Sequence, residues 1–172
     1  MRHYCILFAL LACFAFCACE SDEVSPVREH FAWENAAPIS LKTFQKFTIG
    51  KIWAENEEPY LVEEMPLPEN AQHLDLLGWA GEVHEFIDAQ QIRTYAYTDD
   101  EVEFHLMRGQ YRYDEQTNWL IVTYTEGEKT ITDSMYIYSI NSEMLTYIRY
   151  NKNSKTARLQ RLTPASAEDL PK

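Results

Sequence analysis

The feature that most constrains this chain is a two-residue alternation of apolar and polar side chains, repeated along its C-terminal two-thirds. Val102, Phe104 and Leu106 alternate with Glu103 and His105, and Tyr111 and Tyr113 with Gln110, Arg112 and Asp114. Leu120, Val122 and Tyr124 alternate with Ile121 and Thr123. Tyr136, Tyr138 and Ile140 follow, then Leu145, Tyr147 and Arg149, then Ala157 and Leu159 against Arg158 and Gln160. A period of two places alternate side chains on opposite faces of an extended strand, and Tyr, Ile, Val and Thr suit such half-buried surfaces. Turn-forming residues separate the runs: 114–118, 126–128, 141–143 and 151–154. Each connection is short enough for a hairpin, so successive strands are antiparallel. With 51–54, 60–65, 82–87 and 93–97 the count reaches eight or nine. A meander of that size is expected to close into an all-β, up-and-down antiparallel barrel, because closure removes exposed strand edges. A short helix over 40–47, capped by Ser40 and presenting Leu41 and Phe44 on one face, is expected to precede it.

The 172 residues suit one domain with a tail. Fifteen Lys and Arg against 27 Asp and Glu give a formal charge of −12. That balance argues against nucleic acid, whose phosphates need a clustered basic face, and against a domain lying flat on anionic lipid. Apolar residues make up 46% of the chain, too many for disorder.

All four cysteines, Cys5, Cys13, Cys17 and Cys19, fall in the first nineteen residues. Neither a disulfide framework nor a zinc site is arranged that way. A basic start, Met1-Arg2-His3, precedes an uncharged stretch over 4–18 that falls short of the roughly 20 residues needed to cross a bilayer. The stretch suits the apolar region of a secretory signal peptide. Its end, Ala15-Phe16-Cys17-Ala18-Cys19, resembles a bacterial lipobox, with small Ala18 before the cysteine that receives the lipid. Cys13 would leave a signal of only twelve residues, and Cys17 follows the bulky Phe16, so Cys19 is the expected lipidation site. The alternatives are an ordinary cleaved signal or an uncleaved anchor. Glu20-Ser21-Asp22-Glu23 resembles an acidic signal for export to the outer face of the outer membrane, or is a solvated tether. The expected organisation is therefore a lipoprotein signal peptide over 1–18, a lipidated acidic tether over 19–38, a barrel domain over 39–163 and a disordered tail over 164–172. Phe31 and Trp33 are unusual in a linker and are candidates to dock on the domain. The stretch 65–81 carries Pro66, Pro68, Gly78 and Gly81 without a clear period, and is a candidate lid.

Three groups of residues resemble one family. The domain opens with a short helix and Gly50-Lys51-Ile52-Trp53. A central strand ends Gly109-Gln110-Tyr111-Arg112-Tyr113-Asp114, followed by Thr117-Asn118-Trp119-Leu120. Residues 135–140 and Glu143-Met144-Leu145-Thr146 precede the last strands. Over roughly 41–162 the chain resembles the lipocalin-like (calycin-like) outer-membrane lipoproteins of Gram-negative gut anaerobes. The resemblance implies a lipid-anchored barrel in the cell envelope, and adds little on function because members of the family mostly lack an assigned activity. Lipocalins place a tryptophan two residues after the opening glycine. Here Trp53 is three after Gly50, which in a continuous strand turns its side chain to the other face.

No arrangement of residues carries catalysis. The glycines are scattered, no serine sits in a nucleophile elbow, and adjacent acids such as Glu57-Glu58, Glu63-Glu64 and Asp99-Asp100 are expected by chance among 27. The chain is therefore expected not to be an enzyme and to need no cofactor. His73 with Asp75, His84-Glu85 and His105 fall short of a metal site, which needs three or four ligands in a set geometry. The tyrosines are more suggestive. Tyr95 and Tyr97, Tyr111 and Tyr113, and Tyr136 and Tyr138 are pairs on successive strands, joined by Tyr124, Tyr147 and Trp119. Facing inward, they would line the barrel for a small hydrophobic or aromatic ligand. Alternatively they simply fill a narrow barrel. The expected function is thus a membrane-anchored envelope binding protein whose ligand touches Tyr95, Tyr97, Tyr111, Tyr113, Tyr136 and Tyr138. The alternative is a non-catalytic interaction protein with a solid barrel, meeting another envelope protein through its two-faced strand over 135–140.

Overall fold

The computed structural model describes residues 32–55, 60–62, 65–74, 76, 81–97, 104–126 and 128–170. The signal segment, Cys19 and the acidic cluster lie outside the described residues. Among the described residues nine strands form one antiparallel sheet: β1 (Lys51–Glu55), β2 (Tyr60–Val62), β3 (Gly81–Phe86), β4 (Gln91–Tyr97), β5 (Phe104–Asp114), β6 (Trp119–Glu126), β7 (Lys129–Ile140), β8 (Leu145–Asn151) and β9 (Thr156–Ala165). From β3 to β9 each strand pairs with the next, and β1 pairs with both β3 and β9. That double pairing closes an eight-stranded barrel. Strand β2 continues along the same edge of β9, pairing Tyr60 with Leu159 where β1 stops at Glu55 opposite Leu162.

Side-chain amides and carboxylates shape the hairpins. Asp88 Oδ1 accepts from the amides of Gln90 and Gln91 at 2.8 Å, and Asn141 Oδ1 from those of Glu143 and Met144. Asn151 Oδ1 does the same for Asn153 and Ser154. After Asp114 the chain returns through Asn118, whose φ of 58° is a conformation that asparagine tolerates.

The alternating residues 104–106 and 110–114 are parts of one strand. Strand β5 passes straight through Gly109, opposite Tyr124, because a glycine there leaves room for the neighbouring ring. A Cβ at Gly109 would sit 2.8 Å from Thr123 O and 2.9 Å from Tyr124 Cδ1. At the other end, β9 runs to Ala165, past the expected barrel limit, and a 3-10 turn over Ala167–Asp169 follows it.

Helix α1 (Leu41–Thr48) plugs one end of the barrel. Ser40 caps it by accepting from the Thr43 amide. Phe44 and Thr48, one turn apart, are its buried residues, whereas Leu41 is 40% exposed despite the expectation that it shares the buried face. Gly50 follows at φ +68°, outside the strand ladder. Counting strand parity from Gly50 therefore misplaces Trp53. Its indole is fully buried with Phe44 in the interior core and donates from Nε1 to Phe47 O at 3.2 Å.

A second apolar cluster covers the outer wall of β6–β9: Trp119, Ile121, Tyr136, Ile148, Tyr150 and Leu159. Its cover is the segment around Trp33 together with Met65, Ala71 and Leu74. Trp33 Nε1 donates to Pro66 O at 2.6 Å, Tyr136 Oη donates to Trp33 O at 3.0 Å, and Lys152 Nζ holds Gln72 O and Leu74 O. The last residues of the expected tether are thus part of the domain. Residues 65–74, expected as a lid, are a patch on the side wall.

Candidate functional site

Hairpin register decides which tyrosines reach the interior. Tyr111 pairs with Val122 and Tyr113 with Leu120, on the inward face of β5 and β6. Both stand at the plugged end. Phe44 stacks on Tyr113 with ring centroids 4.2 Å apart, and Tyr111 meets Phe86 edge-on at 5.2 Å. Their hydroxyls are committed to the protein: Tyr111 Oη donates to Asp88 O at 2.6 Å, and Tyr113 Oη lies within 3.0 Å of Asn118 Oδ1 and Ile39 O. Burial raises the Tyr111 phenol to about 12 and also raises Tyr113, so both stay neutral.

The other expected lining residues are not beside them. Tyr95 is on the face of β4 opposite Thr94 and Ala96, which face inward. Tyr97 pairs with Phe104 at the end of β4, and its side chain lies outside the described residues. Tyr136 and Tyr138 belong to the outer cluster, Tyr136 with its ring edge-on to Trp33 at 5.1 Å. The inward faces of β7 are instead Met135 and Ile137, with a register shift after Ile137. Of the expected lining, Tyr111 and Tyr113 thus face inward, whereas Tyr95, Tyr136 and Tyr138 are on the outer face. Tyr111 and Tyr113 share a face, as do Tyr136 and Tyr138, but sequence alone does not say which face is inside.

The interior residues that could hold a ligand form a polar belt between the strands. His84 on β3 is 4% exposed, with Nδ1 at 3.0 Å from Thr94 Oγ1 and Nε2 at 3.5 Å from Tyr147 Oη. Thr94 Oγ1 is also 3.0 Å from Tyr124 Oη, which links β3, β4, β6 and β8 in one chain of hydrogen bonds. Nearby, Arg149 Nη2 donates to Asp133 Oδ2 at 2.5 Å in an ion pair that is almost wholly buried. Gln160 Nε2 donates to Glu55 Oε1 at 3.3 Å. These groups are one cluster: the charges of Arg149, Glu55 and Asp133 all act on the Tyr147 phenol.

Burial keeps the imidazole and the phenols of the belt neutral. Burial, reinforced by the Arg149 cation, lowers the His84 imidazole to about 3. Burial raises Tyr124 to about 12 and raises Tyr147 as well. Hydroxyls and an uncharged imidazole can each donate or accept, so the belt can match a polar ligand from several sides. Beside Tyr124, where the β5–β6 ladder ends at Gly109 and Tyr124, a cleft of about 140 Å³ opens between Met107, Ile131, His105, Leu106, Arg108 and Thr125. Its lining comes from both faces of the sheet.

Thr94, Asp133, Arg149, Gln160 and Glu55 carry no motif and escape a reading of the sequence. One signal was available. Arg149 alternates in phase with Leu145 and Tyr147, so an inward Tyr147 places a cation in the barrel, and a buried cation demands a carboxylate. On the outside, a groove of about 450 Å³ runs between Trp33, Pro38, Pro66, Pro68, Asn70 and Gln116. Two of its polar groups, Trp33 Nε1 and the Asn118 amide, are occupied by Pro66, Ile39 and Ala37. Among the described residues no three His, Cys, Asp or Glu side chains converge as metal ligands, and no helix is long and apolar enough to cross a membrane. No protein-family profile matches the chain, and no curated protein matches it either.

Proposed function

We propose that the chain is a lipid-anchored binding protein of the bacterial cell envelope, held by Cys19 at the outer membrane, with a small ligand seated on the polar belt inside its lipocalin-like barrel. One observation carries the reading: titratable and hydrogen-bonding side chains from β1, β3, β4, β6, β7, β8 and β9 converge in an otherwise apolar interior. A barrel that only needs to be filled is better served by aliphatic side chains, since buried polar groups must each be satisfied. The ring-packed end under α1 leaves no room for a ligand there, so a ligand inside the barrel would meet the belt. Of the strand over 135–140, the expected contact in the competing surface role, Tyr136 is covered by Trp33 of the same chain.

The address and the cargo have separate tests. Cys19→Ser should leave the protein unacylated and move it to the soluble fraction, and retention of the variant in membranes at full precursor length would refute the anchor. For the cargo, full-length protein purified from its own cells is extracted and the small molecules counted against protein. Replacing the ion pair in Arg149→Met/Asp133→Leu should keep the fold, to be checked by circular dichroism, because apolar pairs of similar size often substitute for buried ion pairs. Extracted ligand should fall about tenfold in that variant, as expected when hydrogen bonds to charged groups are removed. Equal recovery from both proteins would refute the interior site.

A further inference from the structure

Gln160 shows what kind of ligand the belt takes. Its amide orientation is fixed chemically: the neighbouring Glu55 carboxylate only accepts, so the NH2 group faces it. Oε1 is then directed elsewhere. It is fully buried on a residue 3% exposed, with no hydrogen-bond partner among the described residues. A buried carbonyl without a donor is costly, so Gln160 Oε1 calls for a hydrogen-bond donor.

The charges at the same place have a sign. Arg149 is the cation that meets the belt, beside the carboxylates of Asp133 and Glu55. Asp133 is engaged by Arg149, which leaves the Glu55 end of the belt negative. Resting on the interior site proposed above, we infer that the ligand carries a primary ammonium group, which donates to Gln160 Oε1 and pairs with the Glu55 carboxylate. An ammonium supplies three donors and no acceptor, which suits two adjacent acceptors. The formal charge of −12 on the whole chain draws cations toward it. Tyr124 belongs both to the belt and to the cleft of about 140 Å³, where Met107 and Ile131 offer an apolar surface for the remainder of the molecule. The class is a small amphipathic amine.

The test compares three probes of one chain length, n-hexylamine, 1-hexanol and hexanoate, titrated calorimetrically into full-length protein in lipid nanodiscs, with empty nanodiscs as the blank. The amine should bind about tenfold tighter than the alcohol and hexanoate not at all, in line with the added strength of charge-assisted hydrogen bonds. Gln160→Leu and the more exposed Glu55→Gln should each weaken the amine about tenfold at unchanged circular dichroism. Alcohol or hexanoate binding as tightly as the amine would overturn the ammonium head while leaving a ligand-binding barrel. No binding of any probe would overturn the amine assignment and count against the interior site as well.

Discussion

His84 is the residue whose environment most sharply separates the folded from the unfolded chain. Its imidazole is buried beside Arg149, and its pKa falls from 6.5 to about 3. Between those values the unfolded chain binds a proton that the folded protein refuses. Stability therefore falls as pH drops from 6.5 toward 3, by up to about 1.4 kcal/mol per pH unit from this group, and the effect levels off below. Chemical denaturation at pH 7, 5.5 and 4.5 should show a shallower decline for His84→Gln than for the wild type, the carboxylates accounting for what remains. Identical slopes would place the imidazole in solvent. Gly109 makes a second residue-scale case. Gly109→Val drives a Cβ onto the Thr123 carbonyl, which is backbone and cannot swing away. A loss of about 1–3 kcal/mol is expected on thermal denaturation, as for other overpacked cores. A neutral substitution would mean that the Tyr124 ring does not lie over that glycine.

Elements differ in how far their sequences announce them. The strands were legible, because a period of two survives any uncertainty about pairing, and the Asx-led turns marked where they end. Helix α1 was legible from Ser40. What was hidden is the side of each strand that faces in. Tyr136 and Tyr138 look no different in sequence from Tyr111 and Tyr113, yet the first pair lies outside and the second inside. Trp53 misled because Gly50 ends a helix in a left-handed conformation and does not begin a strand. The segment around Trp33 was hidden for another reason. It has no period, and only the outer wall of β6–β9 gives it a place. Trp33→Ala removes the ring that meets Trp119, Tyr136 and Tyr150, together with the bond to Pro66. It should cost about 2 kcal/mol, within the usual range for lost packing. Hydrogen exchange should quicken in 65–74 while the amides of β5 keep their protection. Uniform acceleration across the barrel would show that this cover is part of the cooperative core.

At the scale of the molecule, closure and contents have separate causes. Closure follows from nearest-neighbour hairpins and from β1 pairing with both β3 and β9. The contents are layered: rings under α1, then the belt of His84, Thr94, Tyr124, Tyr147, Asp133, Arg149, Gln160 and Glu55. The central claim is that this belt holds a small molecule. Native mass spectrometry of the full-length protein, taken from its own membranes in mild detergent, tests it most directly. The prediction is acyl mass on Cys19 plus an additional small molecule, non-covalently bound and lost on denaturation. An acylated barrel that carries no such mass, and travels instead with a second polypeptide, would contradict it and assign the function to the outer surface.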